Sequence, residues 1–455
     1  MALPATHEHW SSRLAFLLAA IGAAVGIGNI WKFPYLAGSN GGSAFVLVYL
    51  LCVALVAIPI LIAEILLGRM GGLSPPRTMA RLAKRFGRHP AWAAIGWLGM
   101  LAAYLIATYY SVIAGWTLVY VFKNGGGNFV GQLAPAVSGE FDALLADPLQ
   151  LTLWHGVFMV ATALILMRGL KRGIERSVKI LMPLLFALLL VLVGYSAVAG
   201  DLGSGLHYLF DFELSAVDGG VILTAMGQAF FSIGVAMGLM MGFGAYLDEG
   251  ISIAHSAVII ALADTVVALL AGIAIFPIVF AHGLDPAEGP GLVFVSLPLA
   301  FGHMPGGLVF GTLFFLLLFF AALTSAIGVL EPMVAWVTEA TPLRRSAAAA
   351  SVCASIFLLG LCTVFSFNLW SGWYPLGFIE RFARSTYFDL LDYLTANVMM
   401  PLGALLLALF AGWRISRADL GAGLRMQNPW LFQAWLWLLR GLAPLSIFAI
   451  FAANL

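Results

Sequence analysis

The stretch that decides the fold is Ala24-Val25-Gly26-Ile27-Gly28-Asn29, set inside an apolar run from Leu14 to Leu36. A membrane helix normally keeps an unbroken hydrogen-bond ladder, yet this one carries two glycines and a bare amide at mid-run. Backbone groups released there must line a cavity enclosed by protein, because lipid offers them no partner. The interruption is therefore where function is expected.

Working outward, the whole chain has the composition of a lipid-embedded protein. Of its 455 residues, 62% are hydrophobic and 9% charged, and the mean hydropathy is +1.01. That excludes a soluble enzyme as the default and predicts a polytopic helical bundle. Fifty glycines and twenty prolines, without a period, fit long helices that pack closely and are broken at chosen points. A net charge of +1 gives no reason to expect nucleic acid. Cys52, Cys353 and Cys362 lie in apolar runs without metal-ligand spacing and offer no disulfide framework. Gly28, Asn29 and Lys32 stand where a signal peptide would have small cleavage-site residues, so the first run reads as a retained membrane helix.

Eleven apolar stretches follow, near 13–36, 43–67, 91–121, 153–168, 177–198, 219–247, 252–281, 307–337, 346–370, 392–413 and 433–453. Lys and Arg set the expected orientation. Arg69, Arg77, Arg81, Lys84, Arg85 and Arg88 follow the second stretch, and Arg168, Lys171, Arg172, Arg176 and Lys179 lie between the fourth and fifth. Arg344 and Arg345, then Arg414, Arg417 and Arg425, fall on the same side, which predicts a cytoplasmic N-terminus and an extracytoplasmic C-terminus in the inner (plasma) membrane.

The sixth stretch repeats the theme of the first, with Gly227-Gln228-Ala229-Phe230-Phe231-Ser232-Ile233-Gly234-Val235-Ala236-Met237-Gly238 at mid-depth. Two broken helices five stretches apart predict an inverted repeat, residues 13–198 against 219–413, with 433–453 as an additional helix in a single domain 1–455. Close helix packing through glycine is the plainer alternative. Asn29 and Ser232 supply neutral oxygens near the breaks, and Asp264 puts a carboxylate inside the seventh stretch, where a cation, a hydrogen-bond network or a bound proton must compensate it. Thr324 and Ser325 either bond to carbonyls one turn earlier or, facing Gly22 and Val25, complete an oxygen shell for a hard cation.

These residues carry a resemblance. Trp10-Ser11-Ser12-Arg13-Leu14, then Gly26-Ile27-Gly28-Asn29-Ile30-Trp31-Lys32-Phe33-Pro34-Tyr35 and Asn40-Gly41-Gly42, resemble the opening signature of the neurotransmitter:sodium symporter family. The likeness continues through Gly227–Ser232, Leu323-Thr324-Ser325 and Asp392, and its short loops and eleven segments are similar to the prokaryotic amino-acid branch.

The resemblance implies an all-α five-plus-five transporter bundle and two sodium sites. The first would use the Ala24 carbonyl, Asn29, Ser232 and Asp264 with the substrate carboxylate; the second would use carbonyls of Gly22, Val25 and Ala321 with the Thr324 and Ser325 hydroxyls. Many relatives have Asn where this chain has Asp264, and some chloride-independent ones place an acid where it has Ala268. Asp264 therefore implies chloride independence. Substrate would lie among Ala24, Gly26, Ile27, Gly28, Tyr110, Phe231 and Ser232, its side chain met by Ile106, Gly234, Met237, Ser325 and Val329. Gly26 stands where monoamine carriers have an acid, so a hydrophobic amino acid is implied. Lys32 and Asp392 match the outer charge pair, His7 and Glu339 the inner one, and Trp10 and Tyr246 would supplement the inner closure. Gly173 and Pro183 resemble a motif whose fifth helix unwinds at its cytoplasmic end.

Sodium-coupled symport by alternating access follows, with no organic cofactor, no covalent chemistry and no obligate protein partner. A proton-coupled carrier using Asp264 and a non-transporting amino-acid sensor are the alternatives. No nucleotide-binding loop is visible, which speaks against primary active transport.

Overall fold

The structure, a computed structural model, describes residues 9–289 and 291–454. Every regular element among them is helical. Among the described residues nine helices are long and apolar enough to cross a membrane: Ser43–Gly71, Pro90–Gly125, Pro148–Leu166, Leu170–Ala199, Ile253–Ala281, Gly307–Ala340, Arg345–Ser366, Tyr387–Arg414 and Pro429–Ala449. Before them stands a bent pair, Arg13–Ala24 and Gly28–Ser39, at 49° to one another. Gly219–Ile233 and Leu239–Ala245 form a second broken element between the helices Leu170–Ala199 and Ile253–Ala281. Numbered in chain order, the broken elements are spans one and six of eleven.

Local chemistry explains where the helices start and widen. The Ser12 hydroxyl accepts the Ala15 N–H at 3.1 Å and opens span one. Asp147 caps span four, Asp218 span six, and Thr386 and Asp389 cap span ten reciprocally. Wide, π-type turns at Gly28–Lys32, Val53–Ala57 and Leu394–Met399 each stand just before a proline, Pro34, Pro59 or Pro401. Proline lacks a donor and crowds the carbonyl four residues back, and the wider turn relieves both problems.

The expected boundaries fall short at several ends. Spans four and eleven begin at Pro148 and Pro429, ahead of their apolar runs, because proline is well suited to a first helical turn, whereas span three begins at Pro90, where its run was expected to start. Span five begins at Leu170 in a wide turn rather than near 177. The connections contain further short helices, among them Pro75–Arg85, Ala134–Ala146, Leu202–Phe210 and Leu292–His303, which hydropathy alone did not mark. Span eight runs through the middle of the bundle, with residues from Ala321 to Ala335 continuously buried, and packs most extensively on span three. Spans one and six lie against this pair, which brings their breaks face to face at mid-depth.

Candidate functional site

The two breaks have different causes. In span one the backbone leaves the helix at Val25, with φ −68° and ψ 108°, and resumes at Gly28. In span six Gly234, Ala236 and Gly238 all take positive φ, +70°, +65° and +74°. Alanine is costly in that region, so something must hold it. Glu64 of span two does: fully buried, its Oε2 accepts the Ala236 N–H at 2.8 Å. Sequence reasoning missed Glu64, although a lone carboxylate in the apolar run of span two was a usable signal.

Across the breaks, Asn29, Ser232 and Asp264 form one buried cluster. The Asn29 amide nitrogen donates to Asp264 Oδ1 at 2.8 Å, to the Asp264 carbonyl at 3.1 Å and to Ser232 Oγ at 2.9 Å. The Ser232 hydroxyl donates to Asp264 Oδ2 at 2.5 Å. The Asn29 oxygen accepts the Gly26 N–H at 3.0 Å. Asn29 thus presents its NH₂, not the expected oxygen, to the carboxylate, and a half-turn of the amide exchanges the two. With the oxygen turned inward, the cluster offers carboxylate, amide and hydroxyl oxygens, a donor set suited to a hard cation.

The second expected cation site lies nearby. Thr324 Oγ1 donates to the Phe320 carbonyl at 2.9 Å, and the Ser325 hydroxyl donates to the Ala23 carbonyl at 3.0 Å. Thr324 therefore back-bonds, as the plainer alternative held, while Ser325 bridges to span one. A Cβ added at Gly22 would meet Thr324 Cβ at 3.4 Å, so Gly22 and Thr324 are neighbours. Val25 and Ala321 are buried on the same two spans.

A chamber between the breaks is lined by Ala24, Gly26, Gly28, Ile106, Tyr110 and Phe231, and beyond them by Ser232, Gly234, Met237, Ser325 and Val329. Ile27, also among the expected substrate contacts, lines an adjoining cavity that shares Gly28, Tyr110 and Phe231 with the chamber, and its N–H donates to the Tyr110 hydroxyl at 3.2 Å. The chamber is narrow in this closed arrangement, with about 30 Å³ wide enough for a water-sized sphere. Met237 fills part of it, its Cε lying 3.5 Å from where a Gly234 Cβ would stand. That unbranched side chain can withdraw at little cost. A Cβ at Gly26 would come within 2.8 Å of the Tyr110 hydroxyl and 2.9 Å of Ser325 Oγ, so glycine keeps this polar corner open.

Both ends are shut. On one side Lys32 Nζ is 3.4 Å from Asp392 Oδ1 and 4.4 Å from the Phe231 ring centroid, and the Tyr109 hydroxyl donates to the same Asp392 oxygen at 3.1 Å. On the other, Trp10 donates its indole N–H to the Phe243 carbonyl at 3.0 Å and packs edge-on against Tyr246. Tyr246 donates to Glu331 at 3.4 Å, and Arg345 pairs with both Glu331 oxygens at 3.0 and 2.5 Å. Glu339, expected to meet His7, accepts from the Ser74 N–H at 2.9 Å and the Ser74 hydroxyl at 2.5 Å, with Arg77 Nε at 3.8 Å. His7 lies outside the described residues. The Glu331–Arg345 pair was not foreseen, because its partners are neighbours only through the fold.

Glu175 ties the start of the chain to span five, accepting from the Ser11 N–H at 2.9 Å and the Ser11 hydroxyl at 2.5 Å. Span five is wound here: Gly173 sits in the wide turn Leu170–Glu175, and Pro183 lies inside the helix Arg176–Ala199.

A helical bundle with two apposed helix breaks, a polar cluster between them and closures at both ends defines an ion-coupled carrier rather than an enzyme. Residues 7–130 and 146–455 match the Sodium:neurotransmitter symporter family, and the chain belongs to it. It is 36% identical over 445 residues to the uncharacterized sodium-dependent transporter YhdH of Bacillus subtilis, covering 97% of this chain and 96% of that protein. An uncharacterized sodium-dependent transporter of Haemophilus influenzae is 32% identical, covering 98% of both. The crystal structure of MhsT in complex with L-phenylalanine superposes with a TM-score of 0.89 at 40% identity, covering 98% of this chain and 100% of that one. The protein is a multi-pass, sodium-coupled membrane transporter of this family.

Proposed function

We propose that this transporter carries hydrophobic L-amino acids, aromatic or large aliphatic, inward with two sodium ions and without chloride. The observation that carries the reading is the Asn29–Ser232–Asp264 cluster set between the two breaks beside an apolar chamber. A zwitterion needs opposite charges at its two ends. The Gly26 and Ile27 N–H groups at the break, which here donate to the Asn29 oxygen and the Tyr110 hydroxyl, suit the carboxylate once they turn to it, and the carbonyls ending the first half of span six suit the ammonium. The chamber wall of Ile106, Met237 and Val329 offers no charged group to a side chain. The similarity to MhsT, solved with L-phenylalanine, supports the same substrate class.

In this proposal the first sodium is held by the Ala24 carbonyl, Asn29, Ser232, Asp264 and the substrate carboxylate. The second is held by carbonyls of Gly22, Val25 and Ala321 with the hydroxyls of Thr324 and Ser325. Lys32 and Asp392 form the outer gate under an N-inside, C-outside orientation; Trp10, Tyr246 and Glu339, with His7, belong to the inner one. Repeats 13–198 and 219–413 rock against each other around the fixed site, and helix 433–453 is appended. Sodium supplies the work by binding one set of conformations better and by entering down its gradient.

Uptake of labelled L-phenylalanine into proteoliposomes tests this reading. Accumulation driven by an inward sodium gradient, with gluconate replacing chloride, is expected. Accumulation driven by a proton gradient in sodium-free buffer would replace it with the proton-coupled account, and binding without accumulation would leave a sensor.

A further inference from the structure

The chamber does not stop at the faces of spans three and eight. Past the small residues Ala107 and Ala326 its lining continues to Ser111 of span three and to Phe158 and Met159 of span four. Ser111 supplies the polar atom of this extension, and its hydrogen bonds fix what that atom can still do. Its hydroxyl donates to the Ala107 carbonyl at 2.7 Å, and its oxygen lies 3.0 Å from Nε2 of His155 on span four.

His155 is fully buried, and its Nδ1 has no partner among the described residues. A proton on Nδ1 would leave a buried donor orphaned, which costs more than a bare lone pair. The proton therefore sits on Nε2 and is donated to Ser111. The hydroxyl has then used its hydrogen and one of its two lone pairs. What remains on this lining residue is a single acceptor, in a wall that is otherwise apolar there.

We propose that Ser111, oriented by His155, is a specificity-determining acceptor for the substrate side chain, favouring an aromatic amino acid that ends in an N–H or O–H donor, an indole or a phenol. The assignment rests on the amino-acid transport proposed above and deepens it. Phenylalanine fills the same space but leaves the Ser111 lone pair unmet. His155 touches no substrate and is a positioning residue. One neutral hydrogen bond of this kind corresponds to roughly a 3- to 10-fold preference.

The test is competition against sodium-dependent L-phenylalanine uptake, comparing L-tryptophan with 1-methyl-L-tryptophan and L-tyrosine with O-methyl-L-tyrosine. In the wild type each methylated compound is expected to compete about 3- to 10-fold more weakly than its parent. In Ser111→Ala that gap should close to within about twofold, in His155→Leu it should narrow, and His155→Gln, which keeps a donor, should restore it. Absence of the gap in the wild type, or an equal gap in wild type and Ser111→Ala, overturns the assignment while leaving amino-acid transport standing. Absence of any sodium-dependent L-phenylalanine uptake overturns the transport reading and this assignment with it. Absence of the wild-type gap is decisive even if a variant fails to fold, and Ser111→Cys or Ser111→Thr serves in place of Ser111→Ala to separate the hydrogen bond from the bulk of the added methyl.

Discussion

Replacing Asp264 with asparagine keeps the shape of the buried cluster and removes its charge. Asp264 is fully buried, with Oδ1 2.8 Å from the Asn29 amide and Oδ2 2.5 Å from the Ser232 hydroxyl. A unit charge pair at about 4 Å is worth ~4 kcal/mol at the effective dielectric of 20 that suits protein sites. Part of that is offset, because the variant no longer has to bury a carboxylate. A net loss of ~2–4 kcal/mol corresponds to a sodium half-saturation raised roughly 30- to 1,000-fold. The assay is labelled L-phenylalanine binding titrated with sodium at constant ionic strength and fixed pH, for wild type and Asp264→Asn. A shift of less than about threefold would refute the placing of a cation against this carboxylate. Measuring uptake in sodium-free buffer under a proton gradient separates the other possibility, since a proton relay would be lost in the variant there too.

Three further outcomes are expected. Thr324→Ala with Ser325→Ala should raise the sodium requirement for substrate binding by about tenfold or more, since each lost hydroxyl removes a charge-assisted contact; an unchanged sodium titration would remove the second site. Gly26→Ala adds a Cβ 2.8 Å from the Tyr110 hydroxyl and 2.9 Å from Ser325 Oγ, and crowding of ~1–3 kcal/mol should weaken L-phenylalanine binding about tenfold; wild-type affinity in a folded variant would show that the corner is not used. Arg345→Ala leaves the buried Glu331 carboxylate without its cation, a loss of ~3–5 kcal/mol, so the melting temperature should fall. A melting temperature equal to wild type would mean that the pair does not hold the inner closure.

How much of this was readable in the chain depends on whether a feature carries its own cause. The break in span one announces itself, because Gly26, Gly28 and Asn29 interrupt an apolar run and act on their own backbone. The break in span six falls at Gly234, within the small-residue run 227–238, but how its conformation is held was not readable, because the hold comes from outside, by Glu64 of span two on the Ala236 N–H. Asp264 stood out as a charge in a hydrophobic helix, and the same signal was present for Glu64, His155 and Glu331. Their roles were not readable, since Ala236, Ser111 and Arg345 become their neighbours only when separate spans pack. The Asn29 amide likewise gave its position to the sequence and its orientation only to the fold. Helix starts at Pro148 and Pro429 were missed for a simpler reason: they precede the apolar residues by which a span is recognised.

The Ser11–Glu175 contact has a consequence for the order of events. Two hydrogen bonds fasten the segment before span one to the widened first turn of span five, so neither can leave its place without releasing the other. Gly173, within that turn, packs so tightly that a Cβ there would fall 2.1 Å from the Ile165 carbonyl, which leaves the turn little freedom to yield by degrees. The two bonds thus act as a latch: any rearrangement that parts the leading segment from the fifth helix must break both of them together.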